Sequence, residues 1–381
     1  MEVYWYVFYV DGAYPWNADK VRQVDRRYLK SLATAIDGAG YHGALVATGA
    51  AGGWDPWAIS SYLAAYTERM RFLIAVHPSL LSPTLLAKQA VTLDHLSGGR
   101  VELNIVNGHA GLQAGGVHLQ HDERYAHGDE YLGVLRQLLT GDDRSIDHQG
   151  KHLDIRGARP VGPGVHAPYP PIWVGGSSVQ AMDLAAKHAD VYANWAEPLD
   201  RHKAHLAQFR ERAALAGRQV ETAMTVHVVI RDTEEQAWAE VNTMLRHADQ
   251  SAVDNLQRVL SAGQSEGQRR ASSLHTGRLP RDARELEIAP NVWTGYGLLR
   301  IGSSLAFVGT ARQVADRLIE YHEAGVDKFI LSHHPLPEEA WRVADELLPL
   351  LPLKPVGGQR EAADRRVRTF NNQVNGLGAQ R

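Results

Sequence analysis

The sequence predicts a (β/α)8 barrel of the TIM type with insertions, on three observations. Eight short apolar runs, at 3–8, 43–47, 72–76, 101–106, 171–174, 191–195, 224–230 and 329–332, are mostly bounded by turn or charge signals, as buried parallel strands are. Helical patterns separate most of them, so that β and α alternate eight times. The rival arrangement, a doubly wound sheet, lacks its usual dinucleotide signal, because no G-x-G-x-x-G follows the first run.

The helices follow from spacing. Residues 26–39 carry Tyr28, Leu29, Leu32, Ala33 and Ile36 on one face, and Gly38 and Gly40 end the run. Residues 83–96 carry Leu85, Leu86, Ala90, Val91, Leu93 and Leu96, with Gly98 as the C-terminal cap. Further helices are predicted at 125–139, 178–188, 199–216, 234–247, 311–323 and 337–350. Three segments break the alternation. Residues 144–159 alternate around Gln149-Gly150 and read as a hairpin. Residues 249–290 are polar and rich in Arg, Ser, Gln and Gly; a structureless stretch of that length is unusual, which predicts a mobile lid over the site, against the competing reading of a disordered insertion without function. Residues 355–381 have few apolar side chains and read as a flexible tail, leaving 1–354 as one domain.

Composition sets outer bounds. The chain has 381 residues and is 44% hydrophobic, enough for a large core. A net charge of −3 supplies no global field for nucleic acid or anionic membrane. The absence of cysteine excludes disulfides, thiolate metal sites and cysteine nucleophiles. The N-terminus lacks the basic start of a signal peptide, and no apolar run approaches the ~20 residues of a membrane helix, so a soluble cytoplasmic protein is expected.

In a parallel barrel the ends of the strands build the site. Those ends carry Asp11, Thr48, His77, Asn107, His109, residues 175–178, Trp195, His333 and His334. His227 shares a strand face with Thr225 and Val229 by the period-two rule and so reaches toward the pocket; read alone, such a histidine is more often a core or loop residue with a satisfied hydrogen bond. Gly175-Gly176-Ser177-Ser178 follows a strand and opens a helix. Two glycines admit close backbone approach and the serines cap and donate, which suits a phosphate, although an ordinary strand–turn–helix uses the same residues. Nineteen histidines include no H-E-x-x-H, and His118, His121 and His127 read as loop polars. No G-x-S-x-G elbow or P-loop occurs.

Six segments together carry a family resemblance: SPTLLAKQAVTLDHLSGGR (82–100), HDERY (121–125), PYPPIWVGGSS (168–178), GQRR (267–270), IAPNVWTGYGLLR (288–300) and ILSHHPLPEEAWRVADELLPLL (330–351). With them the chain resembles the bacterial luciferase-like flavin monooxygenases over residues 1–350, and is most similar to the FMNH2-dependent alkanesulfonate monooxygenase branch. The resemblance implies FMN at the carboxyl ends of the strands, O2 as co-substrate, reduced flavin from a separate NAD(P)H-dependent FMN reductase, and a homodimer or homotetramer. It implies release of aldehyde and sulfite from an alkanesulfonate. A sulfone or sugar sulfonate as substrate, a deazaflavin-dependent oxidoreductase on the same barrel and a non-catalytic flavin-binding protein are the alternatives.

Carried onto this chain, the resemblance implies a phosphate site at Gly176, Ser177 and Ser178 with Tyr125. It implies flavin-lining positions at Asn107, Val76 and His77, with a non-proline cis peptide often found near Ala75–Val76. It implies an active site of Trp195, His227 and Arg300. Four positions depart. Gly52 and Gly53 stand where the family has a loop cysteine. A histidine after the first strand has no counterpart near Tyr9 to Gly12. Thr225 replaces an arginine, and His334 replaces a tyrosine. Loss of a charged hydrogen bond at Thr225 weakens anion binding roughly tenfold to a hundredfold, which a protonated His334 or His77 would offset.

Overall fold

The computed structural model describes residues 1–356 except 48, 50, 51, 109, 110, 142 and 143. Thr48, His109 and the tail beyond residue 356 therefore lie outside the described residues. Eight strands form a closed parallel ring in chain order: β1 (Glu2–Val7), β2 (Gly43–Val46), β3 (Arg71–Val76), β4 (Val101–Val106), β5 (Ile172–Gly175), β6 (Val191–Trp195), β7 (Glu221–Ile230) and β8 (Lys328–Ser332). Each strand pairs in parallel with the next, and β8 returns to β1. All eight predicted strands are present within a few residues of their predicted bounds. Their β-branched, short, two-sided apolar character is what a strand covered on both faces requires.

Helices α1 (Arg26–Gly38), α2 (Pro56–Ala64), α3 (Pro83–Ser97), α4 (His121–Thr140), α5 (Val179–His188), α6 (Leu199–Leu215) and α7 (Glu234–Arg246) follow the first seven strands. Their ends obey capping chemistry. In α3, Ser82 accepts from the Leu85 N–H, Pro83 opens the first turn, and Gly98 closes it at φ 72°. The predicted hairpin pairs Ile146–Gln149 with Asp154–Ala158. His121 and His127 belong to α4 rather than to a loop. The predicted helix 337–350 is divided into α-helical, π and 3-10 segments.

Residues 249–290 are not structureless. They hold α8 (Gln250–Ser261), α9 (Glu266–Ser272), a 3-10 turn and the strand Glu287–Ala289. α8 buries Val253 and Leu260, and Val253 joins a small second core of Trp238, Met244, Leu286, Trp293 and Tyr296. A further strand, not expected from the sequence, runs over Ala306–Gly309. It pairs with the last four residues of β7, while the first half of β7 pairs with β8. The sheet therefore forks at His227, and β7 serves both the barrel and the second core.

Side chains pointing into the barrel close its floor and leave its carboxyl end open. At the floor, Arg71 pairs with Glu2 at 2.5 Å and Glu102 at 2.9 Å, and Lys328 pairs with Glu2 at 2.7 Å. The Glu2 carboxyl lies at about 2: burial opposes ionisation, but Arg71 and Lys328 outweigh it. Above these charges Tyr4 meets Trp173 edge-on at 5.2 Å, and Leu45, Leu73, Ala223 and Ile330 fill the centre. Within the barrel, room for a ligand lies at the far end.

Candidate active site

A cavity of about 170 Å³ sits at that end. Leu45, Val106, Ala193, Trp195, Thr225 and Ile330 line it with mostly apolar groups, and Asn104 adds an amide. Its rim is the turn from β5 into α5, where Gly176, Ser177 and Ser178 face Tyr125 of α4. Gly176 has φ +145°, and a Cβ there would stand 2.7 Å from the Ala181 Cβ, so only glycine fits. Ser178 caps α5 by accepting from the Ala181 N–H at 3.2 Å. Burial raises the Tyr125 phenol above its ordinary value, although a hydrogen bond with Ser178 acts against this; Tyr125 stays a neutral donor. The resulting concavity has a helix N-terminus, hydroxyls and a phenol around it, the chemistry of an anion cradle.

The first turn of α9 covers this cradle. Gln264, Ser265, Glu266 and Gly267 line the cavity, and a Cβ on Gly267 would lie 3.3 Å from the Ser177 Oγ. A bidentate pair anchors α9, with Arg270 Nε and Nη2 each 2.7 Å from the carboxylate of Glu197 after β6. The polar segment 249–290 is thus a folded cover held by a fork-to-fork ion pair.

A second cluster lies about 7 Å further along the Thr225 strand face, at two residues' rise. His227 is buried, its ring stacks on Tyr296 at 3.7 Å between centroids, and its Nδ1 is 2.9 Å from the Ser332 Oγ. Burial, reinforced by the charge of Arg300 and by His334, pushes its pKa well below the ordinary value, so the imidazole is neutral. Arg300 follows the short helix α10 (Tyr296–Leu299). Its Nη1 lies 2.9 Å from His334 Nε2, and its guanidinium sits over the Tyr6 ring at 5.6 Å. His334 Nδ1 donates to Asp11 at 2.7 Å, and Asp11 also accepts from Tyr28 and from the Leu336 N–H.

This chain of contacts fixes the proton positions. Nδ1 of His334 carries hydrogen toward Asp11, and Nε2 presents its lone pair to Arg300. Burial also holds the His334 pKa down, against the hydrogen bond to Asp11. His334 is therefore an acceptor for Arg300, which corrects the expectation that it would act as a second cation. Among the described residues no carboxylate lies within ion-pair distance of Arg300, so its charge is left uncompensated at the barrel mouth.

The structure brings Tyr125, Gly176, Ser177, Ser178 and Trp195 to one cavity, and His227, Arg300 and His334 to the adjoining cluster. It does not bring Val76 and Asn107 to the cavity wall. Val76 joins the outer core between barrel and helices, and Asn107 packs against Gly128 of α4. His77 is buried with Nδ1 3.1 Å from the Val106 carbonyl. The cis peptides among the described residues are Ala167–Pro168 and His334–Pro335, and the Ala75–Val76 bond is trans. Asp11, expected at a strand end, is the buried anchor of His334, whereas Tyr296, Ser332 and Asn104 are not among the expected site residues. Asn104 was legible, because it shares the inward face of β4 with Glu102 and Val106.

The lining fits a flavin mononucleotide by its chemistry: an apolar slot for a flat ring system, one amide, and an anion cradle at the rim. The fold has known counterparts. The structure of long-chain alkane monooxygenase LadA aligns with a TM-score of 0.76 at 20% identity, covering 95% of each chain. Riboflavin lyase RcaE, determined with modified FMN and riboflavin, aligns at 0.74 with 19% identity, covering 94% of this chain and 93% of its own. An F420-dependent secondary alcohol dehydrogenase aligns at 0.66 with 14% identity, covering 93% of this chain and all (100%) of its own. These likenesses carry the fold and do not separate the cofactors. A family model described as luciferase-like monooxygenase matches residues 2–328, and the chain belongs to that family.

Proposed function

We propose that the protein is the oxygenating component of a two-component system. It takes FMNH2 from a separate NAD(P)H-dependent reductase and uses O2 to cleave the C–S bond of a small alkanesulfonate, giving an aldehyde and sulfite. The observation that carries the substrate class is Arg300, a partly buried guanidinium at the mouth with no carboxylate partner among the described residues and an imidazole lone pair aiming it. An unquenched, preorganised cation there favours an anionic substrate. Thr225 on the cavity wall leaves more room and less positive charge than an arginine would, which supports bulkier organosulfur anions, sugar sulfonates included, within the same reading.

When bound, the flavin supplies the reaction with oxygen, and the protein supplies position, field and dryness. Gly176, Ser177, Ser178 and Tyr125 would hold the phosphate. Leu45, Ala193, Trp195 and Ile330 would pack the ring and exclude water. α9, anchored by Arg270 on Glu197, would close the slot. Arg300 would hold the anionic group, and neutral His227 would hydrogen-bond at the reacting centre without adding charge.

Anaerobic loading with FMNH2, followed by oxygen and a panel of sulfonates with sulfite as readout, tests this reading. Sulfite formation that requires both FMNH2 and oxygen, and that Arg300→Ala abolishes, is expected. Turnover with a reduced deazaflavin that ignores oxygen would replace the proposal with the dehydrogenase alternative.

A further inference from the structure

We infer that Tyr192 and His205, which lie behind the cavity and touch no ligand, are positioning residues that aim the Ser177 N–H at the flavin phosphate. The inference rests on the flavin reading above. Tyr192 is on the outward face of β6 and is fully buried, with its ring stacked on Phe209 of α6 at 4.1 Å. Its hydroxyl donates to the Gly176 carbonyl at 2.5 Å and lies 2.7 Å from His205 Nε2. The one hydroxyl hydrogen is spent on the carbonyl, so the hydroxyl oxygen accepts from a hydrogen on Nε2 of His205. Burial keeps both groups neutral, lowering the His205 pKa and raising that of Tyr192.

This pair decides the orientation of one peptide. The Gly176 N–H is held by the Ala193 carbonyl at 3.1 Å, and the Gly176 C=O is held by Tyr192. Across a trans peptide the N–H of the next residue points opposite to the C=O. With the carbonyl drawn outward to Tyr192, the Ser177 N–H points inward to the cavity, and among the described residues it has no protein acceptor. Gly176 itself offers no resistance to rotation: it lacks a Cβ, and its φ of +145° is open to glycine alone. Orientation therefore comes from behind, from the phenol and the imidazole that orders it.

Tyr192→Phe keeps the stacked ring and removes the hydroxyl; His205→Leu removes the donor to it; His205→Gln retains an N–H in its place. The affinities of reduced FMN and reduced riboflavin, titrated anaerobically, separate phosphate binding from ring binding. In Tyr192→Phe and His205→Leu the FMN affinity should fall about tenfold, as for one misaimed hydrogen bond to a charged group, while riboflavin affinity is unchanged. His205→Gln should restore most of the FMN affinity. An equal fall for both flavins, or an unchanged preference for FMN in Tyr192→Phe, would overturn the inference alone. A wild-type protein that binds FMN no more tightly than riboflavin would sink the phosphate reading and this inference with it.

Discussion

Replacing Asp11 separates charge from hydrogen bonding at the mouth of the barrel. Asp11 is 0% exposed and serves three donors: His334 Nδ1 at 2.7 Å, the Leu336 N–H at 3.1 and 3.2 Å to its two oxygens, and the Tyr28 hydroxyl. In Asp11→Asn the amide can keep its oxygen on His334 and turn its NH2 toward Tyr28, whose hydroxyl rotates to accept. The hydrogen bonds survive but lose their ionic character, roughly half their strength, for a cost of about 1–2 kcal/mol. Asp11→Leu leaves three buried donors unpaired and should cost about 3–5 kcal/mol. Burial would raise the Asp11 pKa, but hydrogen bonds from His334 and Tyr28 hold it below the ordinary value. A carboxyl lowered in the folded state stabilises fully above its unfolded value of ~3.9 and loses that contribution as pH falls through its folded value. Urea unfolding should thus show the wild type ahead of Asp11→Asn at pH 7, with the gap closing below about pH 4. A gap independent of pH, or an Asp11→Leu protein as stable as Asp11→Asn, would refute the assignment of Asp11 as the ionised end of the chain to Arg300.

Other outcomes follow from the same geometry. The His227 pKa is pushed well below its ordinary value by burial first and Arg300 second, so the imidazole is neutral throughout pH 6–9. The rate profile of the wild type should show no inflection near 6.5 that His227→Asn removes. Arg270→Lys keeps the charge facing Glu197 but loses the two 2.7 Å contacts; α9 should loosen, and the fraction of consumed oxygen released as hydrogen peroxide should rise severalfold while the melting temperature stays within a few degrees. Gly176→Ala places a methyl 2.7 Å from the Ala181 Cβ at a φ of +145°, costing about 1–3 kcal/mol of stability and weakening FMN more than riboflavin in titration.

Much of the architecture was legible because strands covered on both faces leave a strong linear mark. Runs such as Phe72 to Val76 are short, β-branched and bounded, and the helices between them carry one apolar face. Strand alternation puts His227 two residues beyond Thr225 in β7, and the Gly176–Ser178 turn lies between β5 and α5, where a close backbone approach is expected. Other features left weak marks. The stretch 249–290 looked structureless because its helices bury few residues, Val253 and Leu260 in α8, and the second core it joins is supplied mainly by the flanking segments around Trp238 and Tyr296. Val76 faces the outer core and Asn107, one residue past β4, packs against α4, so neither lines the cavity.

The chain by itself determined the ring of strands and the residue types gathered at their carboxyl ends, where the candidate site lies, because local alternation and turn chemistry are written in neighbouring residues. Only the tertiary structure decided which groups carry charge. Asp11 and His334 meet across 323 positions of sequence. That contact makes His334 an acceptor for Arg300, which has no carboxylate partner among the described residues, while burial first and Arg300 second hold the His227 pKa well below its ordinary value. Protonation depends on desolvation and on partners in space, and neither quantity exists until the chain has folded.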